Sequence, residues 1–128
     1  MTNIDQSKLI SVQFLLENNF SEAIQELNKV IEMDPEDSVS WHNRGASKYN
    51  LGKFEEAIID LDKAIELNPD SASWDYRGRS KYFLTKFSEA IIDLDKAIEM
   101  DPEDSVSWHY RGRSKYFLYQ YREAIKDL

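Results

Sequence analysis

Two stretches of the chain carry aromatic and basic side chains at helical spacing. The same three residue types recur in both, at intervals of three and four residues: Tyr76, Arg79 and Phe83, then Tyr110, Arg113 and Phe117. Such intervals place side chains on one face of an α-helix. Tyrosine and arginine are enriched in binding hot spots, and arginine pairs with carboxylates. The pattern favours recognition of an acidic group, although mutual packing of adjacent helices remains open as an alternative.

Residues for catalysis or metal binding are few. His42 and His109 lie in duplicated segments, and no third ligand accompanies either of them at helical spacing. Two pairs of acids are expected on solvated helix faces with local ion pairs: Asp60 and Asp62, then Asp93 and Asp95. With no cysteine and four isolated glycines, there is neither a thiolate nor a glycine-rich phosphate loop. We therefore expect no enzymatic activity, no cofactor and no metal.

Composition limits the class of protein. The 128 residues include 16 Lys and Arg against 24 Asp and Glu, a net charge of -8, and 41% are hydrophobic. That apolar fraction supports a packed core, while the acidic total disfavours binding to nucleic acid or to a membrane surface. There is no apolar run long enough to span a bilayer and no basic segment typical of a signal peptide. We expect a cytoplasmic protein.

Internal repetition organises the whole chain. The twelve residues 31–42 return unchanged at 98–109, an offset of 67, and shorter matches at offsets of 33 and 34 divide that interval. Each unit of about 34 residues contains two amphipathic patterns of helical period, which predicts a helical hairpin. One all-α array covers residues 1–128, in four units: residues 4–37, 38–70, 71–104 and 105–128.

Punctuating residues mark the ends of the helices. Serines are expected to cap the first helices of units two to four: Ser38, Ser71 and Ser105. Asp-Pro or Asn-Pro pairs are expected to end the second helices: at Pro35, Pro69 and Pro102. Between the two helices of unit two, Gly52 suits a left-handed turn, and the matching places hold Asn18, Thr85 and Tyr119. Because tyrosine resists that conformation, the turn before Tyr121 is expected to differ.

The repeat resembles the tetratricopeptide repeat family. The first helices carry the matching large and small residues: Trp41, Gly45 and Tyr49, Trp74, Gly78 and Tyr82, then Trp108, Gly112 and Tyr116. The second helices carry the matching alanines: Ala23, Ala57, Ala90 and Ala124, with Ala64 and Ala97. The resemblance implies a right-handed α-solenoid of about 3.7 helix-turn-helix repeats, whose first helices line a concave groove.

The two end units depart from the pattern. Unit one has Ser7 and Ser11 where the others have Trp and Gly, so it is expected to act as a cap-like, degenerate repeat. Unit four stops within its second helix. We expect either a fragment of a longer array or an end with Ala124, Ile125 and Leu128 partly uncovered.

Charge separates the two sets of helices. Residues 71–84 carry three basic residues and one acid, net +2, and residues 105–118 carry three basic residues, net +3. Residues 54–67 and 88–101 each carry five acids and one lysine, net -4. A basic groove and an acidic back are therefore expected. Eleven residues are predicted to line the groove: His42, Asn43, Tyr49, Asp75, Tyr76, Arg79, Phe83, His109, Tyr110, Arg113 and Phe117. Three other arginines are expected to pair with acids of second helices: Arg44, Arg77 and Arg111.

One subclass of the family clamps the C-terminal carboxylate of heat-shock chaperones with five side chains. The corresponding places hold Lys8, Val12, Asn43, Ala72 and Tyr76. Only Lys8 and Asn43 match, and a shift by one unit gives no match. Chaperone docking of that kind is therefore disfavoured.

The leading hypothesis is an adaptor that binds a peptide or helix of a partner protein, preferably with an acidic or C-terminal carboxylate group beside an apolar side chain. One alternative is a spacer that self-associates through its open C-terminal end. Another is an accessory segment of a longer multidomain protein.

Overall fold

The computed structural model of the chain describes residues 2–126, in which the regular structure consists of seven α-helices and no strand. The helices are α1 (Asn3–Leu16), α2 (Phe20–Met33), α3 (Ser38–Asn50), α4 (Phe54–Leu67), α5 (Ser71–Phe83), α6 (Phe87–Met100) and α7 (Ser105–Lys126). None of these helices is long and apolar enough to cross a membrane. The predicted all-α class is confirmed. The chain folds as two compact units that divide between Pro69 and Asp70.

The first unit contains two helical hairpins, α1–α2 and α3–α4, and α2 also packs against α3. Small residues let the helices approach closely. Gly45 on α3 faces Leu61 on α4, so that a Cβ atom at Gly45 would lie 2.8 Å from Leu61 Cγ. Ala23, Ala57 and Leu61 are fully buried, as expected for the small and apolar positions of the repeat.

The second unit contains one helical hairpin, α5–α6, and the single helix α7. In the α5–α6 hairpin, a Cβ atom at Gly78 would lie 2.7 Å from Leu94 Cγ. Helix α7 packs on α6 and, less extensively, on α5. The core of this unit is formed by buried residues of α5 and α6 and by three partly buried residues of α7: Tyr82, Phe87, Ala90 and Leu94, with Tyr110, Phe117 and Leu118.

The helices begin at the predicted serines, and an aspartate one residue earlier caps α5 and α7, whereas the Asp37 side chain before α3 accepts no backbone hydrogen bond from the first turn of that helix. The Asp70 carboxylate accepts a hydrogen bond of 2.8 Å from the backbone N–H of Ser73. The Asp104 carboxylate accepts one of 3.0 Å from the backbone N–H of Val106. The prediction of serine caps was therefore wrong by one position. In these two helices, the carboxylate of the residue directly before the serine accepts a free N–H group of the first turn.

The turn residues explain where hairpins form. Asn18, Gly52 and Thr85 have left-handed φ angles of 59°, 77° and 62°, and each stands between two helices of a hairpin. Tyr119, at the matching place, lies inside α7, which runs unbroken from Ser105 to Lys126. The predicted difference at this turn is confirmed, because the residues up to Lys126 that were expected to form the second helix of unit four continue α7 instead. Leu128 lies outside the described residues. The boundaries of the four repeat units stay predictions.

Two acids expected in solvent are buried. Asp60 and Asp93 are each 1% exposed. Asp60 accepts two hydrogen bonds from Arg44, at 2.9 and 2.8 Å, and pairs with Lys48 at 3.0 Å. Asp93 has the same arrangement with Arg77, at 2.9 Å for both bonds, and with Lys81 at 2.9 Å. The solvated interpretation was wrong for these two acids, since each is neutralised by two cations of the facing helix.

The predicted role of the three arginines in pairing with acids is confirmed. Arg44 and Arg77 bind Asp60 and Asp93, as described, and Arg111 on α7 binds the half-exposed Asp95 on α6 at 2.8 Å. Each arginine also stacks over the tryptophan three residues earlier, with its guanidinium carbon 4.5 to 4.9 Å from the ring centroid. These arginines therefore belong to the packing of the helices.

The three tryptophans differ in one hydrogen bond. The indole N–H groups of Trp41 and Trp108 each donate 2.8 Å bonds to a proline carbonyl six residues earlier, at Pro35 and Pro102. The turn before α5 is one residue shorter, so Pro69 precedes Trp74 by five positions. The Trp74 indole nitrogen is buried without a hydrogen-bond partner among residues 2–126.

Candidate functional site

The six residues of the two sequence stripes come together in the second unit. We call them the α5–α7 cluster: Tyr76, Arg79 and Phe83 on α5, with Tyr110, Arg113 and Phe117 on α7. Tyr82 lies at the centre of the cluster. Its ring is 5.1 Å from that of Phe83, 5.2 Å from that of Tyr110 and 6.2 Å from that of Phe117. Residues of the two stripes therefore pack against one another around Tyr82, and the same residues are those predicted to recognise a ligand.

Arg113 is the exposed cation of the cluster. Its Nε donates a hydrogen bond of 2.8 Å to the Tyr82 hydroxyl, and its guanidinium carbon lies 5.7 Å from the centre of the Phe117 ring. The hydrogen bond to Tyr82 raises the pKa of the Arg113 guanidinium. Arg113 pairs with no carboxylate among residues 2–126, so its terminal N–H groups are available to an external acceptor.

Arg79 has a different environment. Its Nε donates a hydrogen bond of 2.8 Å to the Asp75 carboxylate, and its Nη2 makes a shorter bond to the same oxygen. The guanidinium also covers the Tyr76 ring, 4.2 Å from the centroid, and approaches the Tyr110 ring at 5.8 Å. Because Asp75 neutralises it, Arg79 contributes less positive charge to the cluster than the sequence predicted.

Asp75 is the one predicted groove residue that is almost completely buried. It is 2% exposed, and its second oxygen accepts a hydrogen bond of 2.8 Å from the Ser107 hydroxyl on α7. Burial raises the pKa of the Asp75 carboxyl, against the opposing effects of Arg79 and Ser107. The prediction that Asp75 contacts a ligand is therefore corrected: Asp75 connects α5 to α7 and positions Arg79.

An apolar pocket adjoins the cluster. Tyr82, Phe83, Thr85, Phe87, Phe117 and Tyr121 line an open space of about 280 Å³. The Phe87 ring stacks on that of Phe117 at 5.5 Å and lies 5.8 Å from that of Tyr121. Such a pocket suits an apolar or aromatic side chain, and Phe117 in its wall lies 5.7 Å from the guanidinium carbon of Arg113.

The first unit carries the remaining predicted residues in a more polar setting. His42, Asn43 and Tyr49 are half-buried on α3, and Tyr49 packs edge-on against Phe54 at 5.7 Å. Asn43 lines a second pocket of about 280 Å³ together with Lys8 and Val12. Two clamp-like residues, Lys8 and Asn43, thus share a pocket, where Lys8 also pairs with Asp37 at 3.4 Å.

The second histidine is exposed at the edge of the cluster. The His109 ring packs edge-on against Tyr110, with centroids 5.1 Å apart. Within residues 2–126, no group of three or more His, Asp or Glu side chains is arranged to hold a metal ion. The arrangement on α5 and α7 presents aromatic rings and the Arg113 guanidinium.

Two residues of the site, Tyr82 and Ser107, were not predicted from the sequence. Tyr82 occupies the same repeat position as Tyr49, yet only Tyr49 was predicted to line the groove. Ser107 belongs to a serine position shared with Ser40 and Ser73 and carried no functional signal. The Tyr82 hydroxyl accepts a hydrogen bond from Arg113, and the Ser107 hydroxyl donates one to Asp75; only the packing of α7 against α5 reveals these contacts.

Comparison with known sequences decides the family. The sequence profile of the tetratricopeptide repeat matches residues 14–37, 38–71 and 74–104. The chain belongs to the tetratricopeptide repeat family. The matched segments follow the helical hairpins from the end of α1 to the end of α6, which agrees with the resemblance noted in the sequence.

Curated relatives are similar over part of the chain. The protein STIP1 homolog of Dictyostelium discoideum is 40% identical over 52 residues, which are 41% of this chain and 9% of that protein. The chain thus spans less than a tenth of the length of this relative.

Solved structures share the fold along most of the chain. The first tetratricopeptide repeat domain of Spaghetti (RPAP3), bound to the HSP90 peptide SRMEEVD, superposes with a TM-score of 0.86 at 24% identity, covering 91% of this chain and 93% of that one. The second such domain of human RPAP3, in complex with the HSP70 peptide SGPTIEEVD, gives a TM-score of 0.80 at 25% identity, covering 85% and 92%.

Proposed function

We propose that this tetratricopeptide repeat chain is a non-enzymatic protein-interaction module that binds a peptide segment of a partner protein at the α5–α7 cluster. The preferred segment carries an acidic side chain or a C-terminal carboxylate next to an apolar or aromatic side chain. A cytoplasmic location, which the absence of cysteine favours, is part of the proposal.

Arg113 carries this proposal. It is an exposed guanidinium held in place by the Tyr82 hydroxyl and lacks a carboxylate partner within residues 2–126. Because its position is already fixed by Tyr82 and the Phe117 face, little side-chain freedom is lost when a ligand binds. A guanidinium with free N–H groups is suited to a carboxylate, which it binds through charge-assisted hydrogen bonds.

The neighbouring aromatic pocket supplies the second half of the specificity. Phe83, Phe117 and Tyr121 offer apolar surface around an open space of about 280 Å³. A ligand with both an acid and an apolar side chain would contact Arg113 and this pocket together. The acid alone would gain little at an exposed site, so the apolar contact is expected to provide much of the affinity.

The peptides bound by the structural neighbours support a ligand of this class. SRMEEVD and SGPTIEEVD both end in acidic residues flanking a valine. In this chain, only Lys8 and Asn43 occupy matching clamp positions, and the exposed arginine lies on α7 instead. We therefore propose an acidic peptide ligand whose preferred sequence differs from that of the chaperone tails.

Fluorescence polarisation with short labelled peptides tests the proposal. A library of peptides ending in an acid and an apolar residue, with SRMEEVD included, is titrated with the full chain. For the best binder, Arg113→Gln is expected to weaken binding by about fivefold, since one exposed charge-assisted interaction of roughly 1 kcal/mol is removed. Affinity is also expected to fall with rising salt, because Arg113 is exposed.

Arg122→Gln is the matched control. Arg122 is exposed on the same helix, nine residues from Arg113 and hence on the opposite face. The Arg122→Gln variant removes the same charge without changing the cluster, so it should leave the affinity for the peptide unchanged. If both variants weakened peptide binding equally, the loss would be due to the change in net charge. If Arg113→Gln bound the peptide as tightly as the wild type, the peptide would bind at another site.

Self-association is the second candidate function. Ile125 is 67% exposed and Ala124 is exposed near the end of α7. Uncovered apolar residues of this kind favour contact with another copy. Light scattering over a concentration series distinguishes the two, because a chain that remains monomeric at high concentration is inconsistent with a self-associating spacer.

A further inference from the structure

The two arginines of the α5–α7 cluster differ in the residue four positions earlier on the same helix. On α5, Asp75 precedes Arg79. On α7, the matching place before Arg113 holds His109. Side chains four residues apart on a helix are neighbours, so an acid at the first place can neutralise an arginine at the second. The repeat therefore sets one arginine of the cluster beside an acid and the other beside a histidine.

The Asp75–Arg79 pair is closed and nearly buried. The Arg79 Nε donates a hydrogen bond of 2.8 Å to Oδ2 of Asp75, and Nη2 donates a shorter one to the same oxygen. Only 16% of the Arg79 side chain and 2% of the Asp75 side chain are exposed. The other carboxylate oxygen accepts a bond of 2.8 Å from the Ser107 hydroxyl, so α7 holds the acid in place. Outside such a pair, the field of each charge is largely cancelled by the other.

Both guanidinium groups nevertheless lie at one pair of rings. Arg79 is 5.8 Å from the centre of the Tyr110 ring, and Arg113 is 5.9 Å from that of the Tyr82 ring. These two rings are themselves 5.2 Å apart. A peptide with two acids bound here would thus bring its second acid toward the Asp75–Arg79 pair. With two guanidinium groups against one carboxylate, the cluster carries a net charge of +1.

We propose that the Asp75–Arg79 pair makes the α5–α7 cluster selective for peptides that present a single carboxylate. This inference rests on the proposed function and names the charge of its ligand. Arg113 binds the carboxylate. A second acid gains nothing near Arg79, because the guanidinium attracts it while the Asp75 carboxylate repels it. Asp75 is therefore a positioning residue that determines charge specificity without touching the ligand.

Asparagine at position 75 removes the charge with little change in shape. Its amide oxygen can accept from Arg79, and its amide N–H can donate to the Ser107 hydroxyl, which accepts hydrogen bonds as well as donating them. Asp75→Asn thus keeps Arg79 at the rings and leaves its charge uncompensated. The variant should acquire the preference for a second acid that the wild type lacks.

Acetylated and amidated peptides test this by competition with the labelled best binder of the peptide library. The single-acid peptide has one glutamate before a phenylalanine in a glycine–serine background, and each double-acid peptide adds a glutamate at another background position within about four residues. The wild type should bind all of them within about twofold. Asp75→Asn should bind the best double-acid peptide about fivefold more tightly than the single-acid one. Adding Arg79→Gln to Asp75→Asn should remove this gain.

Glu103→Gln is the matched control. It removes one negative charge at an exposed residue before α7 and should leave the ratio of the double-acid to the single-acid affinity as in the wild type. The ratio also separates charge from structure. If Asp75→Asn merely loosened the site, it would weaken the binding of both kinds of peptide alike.

The converse substitution neutralises the other arginine. His109→Asp places an acid four residues before Arg113, as Asp75 stands before Arg79. It should weaken binding of the single-acid peptide about fivefold more than His109→Asn does. Equal effects of the two variants would show that an acid at this place does not neutralise its arginine, and the proposal would fail.

Two further results would overturn the inference. One is a wild type that gains about threefold or more from a second acid and loses this gain in Arg79→Gln, since Arg79 would then bind acids despite Asp75. The other is an Asp75→Asn variant, folded by circular dichroism, that gains nothing from a second acid at any spacing. In both cases binding would still depend on Arg113. If Arg113→Gln bound the single-acid peptide as tightly as the wild type, the proposed function itself would fail, and this inference with it.

Discussion

The Asp75 carboxylate on α5 accepts a 2.8 Å hydrogen bond from the Ser107 hydroxyl on α7. Both residues are at most 2% exposed, and the same carboxylate holds Arg79 over the Tyr76 ring. One buried acid thus connects the two helices of the proposed peptide site and fixes one of its arginines. The arrangement links the stability of the unit to the geometry of the site.

Asp75 should make the stability of the second unit depend on pH. Burial raises the pKa of its carboxyl above the ordinary value of 3.8, despite the opposing effects of Arg79 and Ser107. As pH rises from about 3.8 through the higher pKa of the folded state, the unfolded chain releases its proton first, so the free energy of unfolding falls. Below this range both states are protonated, and the stabilisation is fully present.

Urea unfolding between about pH 3.5 and 6.5 measures this effect in the wild type and in Asp75→Asn. The asparagine variant cannot ionise and should lack the corresponding fall in the free energy of unfolding. Asp95→Asn, at a half-exposed acid of α6, is the control and should follow the wild type more closely. Parallel profiles for wild type and Asp75→Asn would contradict the assignment.

The buried acid of α6 should be far more important for stability than an exposed one. Asp93→Ala leaves Arg77 and Lys81 without their shared carboxylate, and we expect a loss of about 3 to 5 kcal/mol in the free energy of unfolding. Glu99→Ala on the same helix breaks an exposed pair with Lys96 at 3.8 Å and should cost less than about 0.5 kcal/mol. Denaturant titration of both variants decides this; similar losses would mean that the Asp93 network contributes little.

The repeat pattern predicts the helices well because its signals are local. The Asp-Pro and Asn-Pro pairs end α2, α4 and α6 within one residue of the expected position, and a left-handed residue occupies each of the three hairpin turns. Two of the arginine pairs were also predictable, since Arg44 and Arg77 lie at one repeat position and their partners Asp60 and Asp93 lie at another. Arg111 shares the arginine position but binds Asp95, which lies on the preceding helix at a different repeat position.

The burial of individual polar residues was not predictable from the pattern. Tyr82 and Tyr116 occupy the same repeat position, yet Tyr82 is buried and Tyr116 is 59% exposed, because only one has a second helix packed against it. Asp60 and Asp62 look alike in sequence, although Asp60 is 1% exposed and Asp62 is exposed. Such differences depend on which helix faces each residue, and the single sequence does not specify it.

Equivalent glycines should respond in opposite directions to alanine. A Cβ atom at Gly78 would lie 2.7 Å from Leu94 Cγ, so Gly78→Ala should destabilise the chain by about 1 to 3 kcal/mol through overpacking. At Gly112 the space is open, and Gly112→Ala should stabilise it by up to about 1 kcal/mol through helix propensity alone. Thermal unfolding of the two variants gives the signs directly; destabilisation by Gly112→Ala would show that another helix covers this glycine.

Thr85 and Tyr119 occupy matching places in the repeat but have different backbone conformations. Thr85 has a φ angle of 62°, which strains a β-branched residue, so Thr85→Gly should raise the free energy of unfolding by about 1 kcal/mol. Tyr119 occupies the matching place inside α7, where glycine weakens a helix, so Tyr119→Gly should lower it by about 1 kcal/mol and reduce the helical signal in circular dichroism. Denaturant unfolding, combined with circular dichroism, measures both changes. A gain in stability for Tyr119→Gly would indicate that the chain prefers a hairpin turn at this residue over the continuous helix.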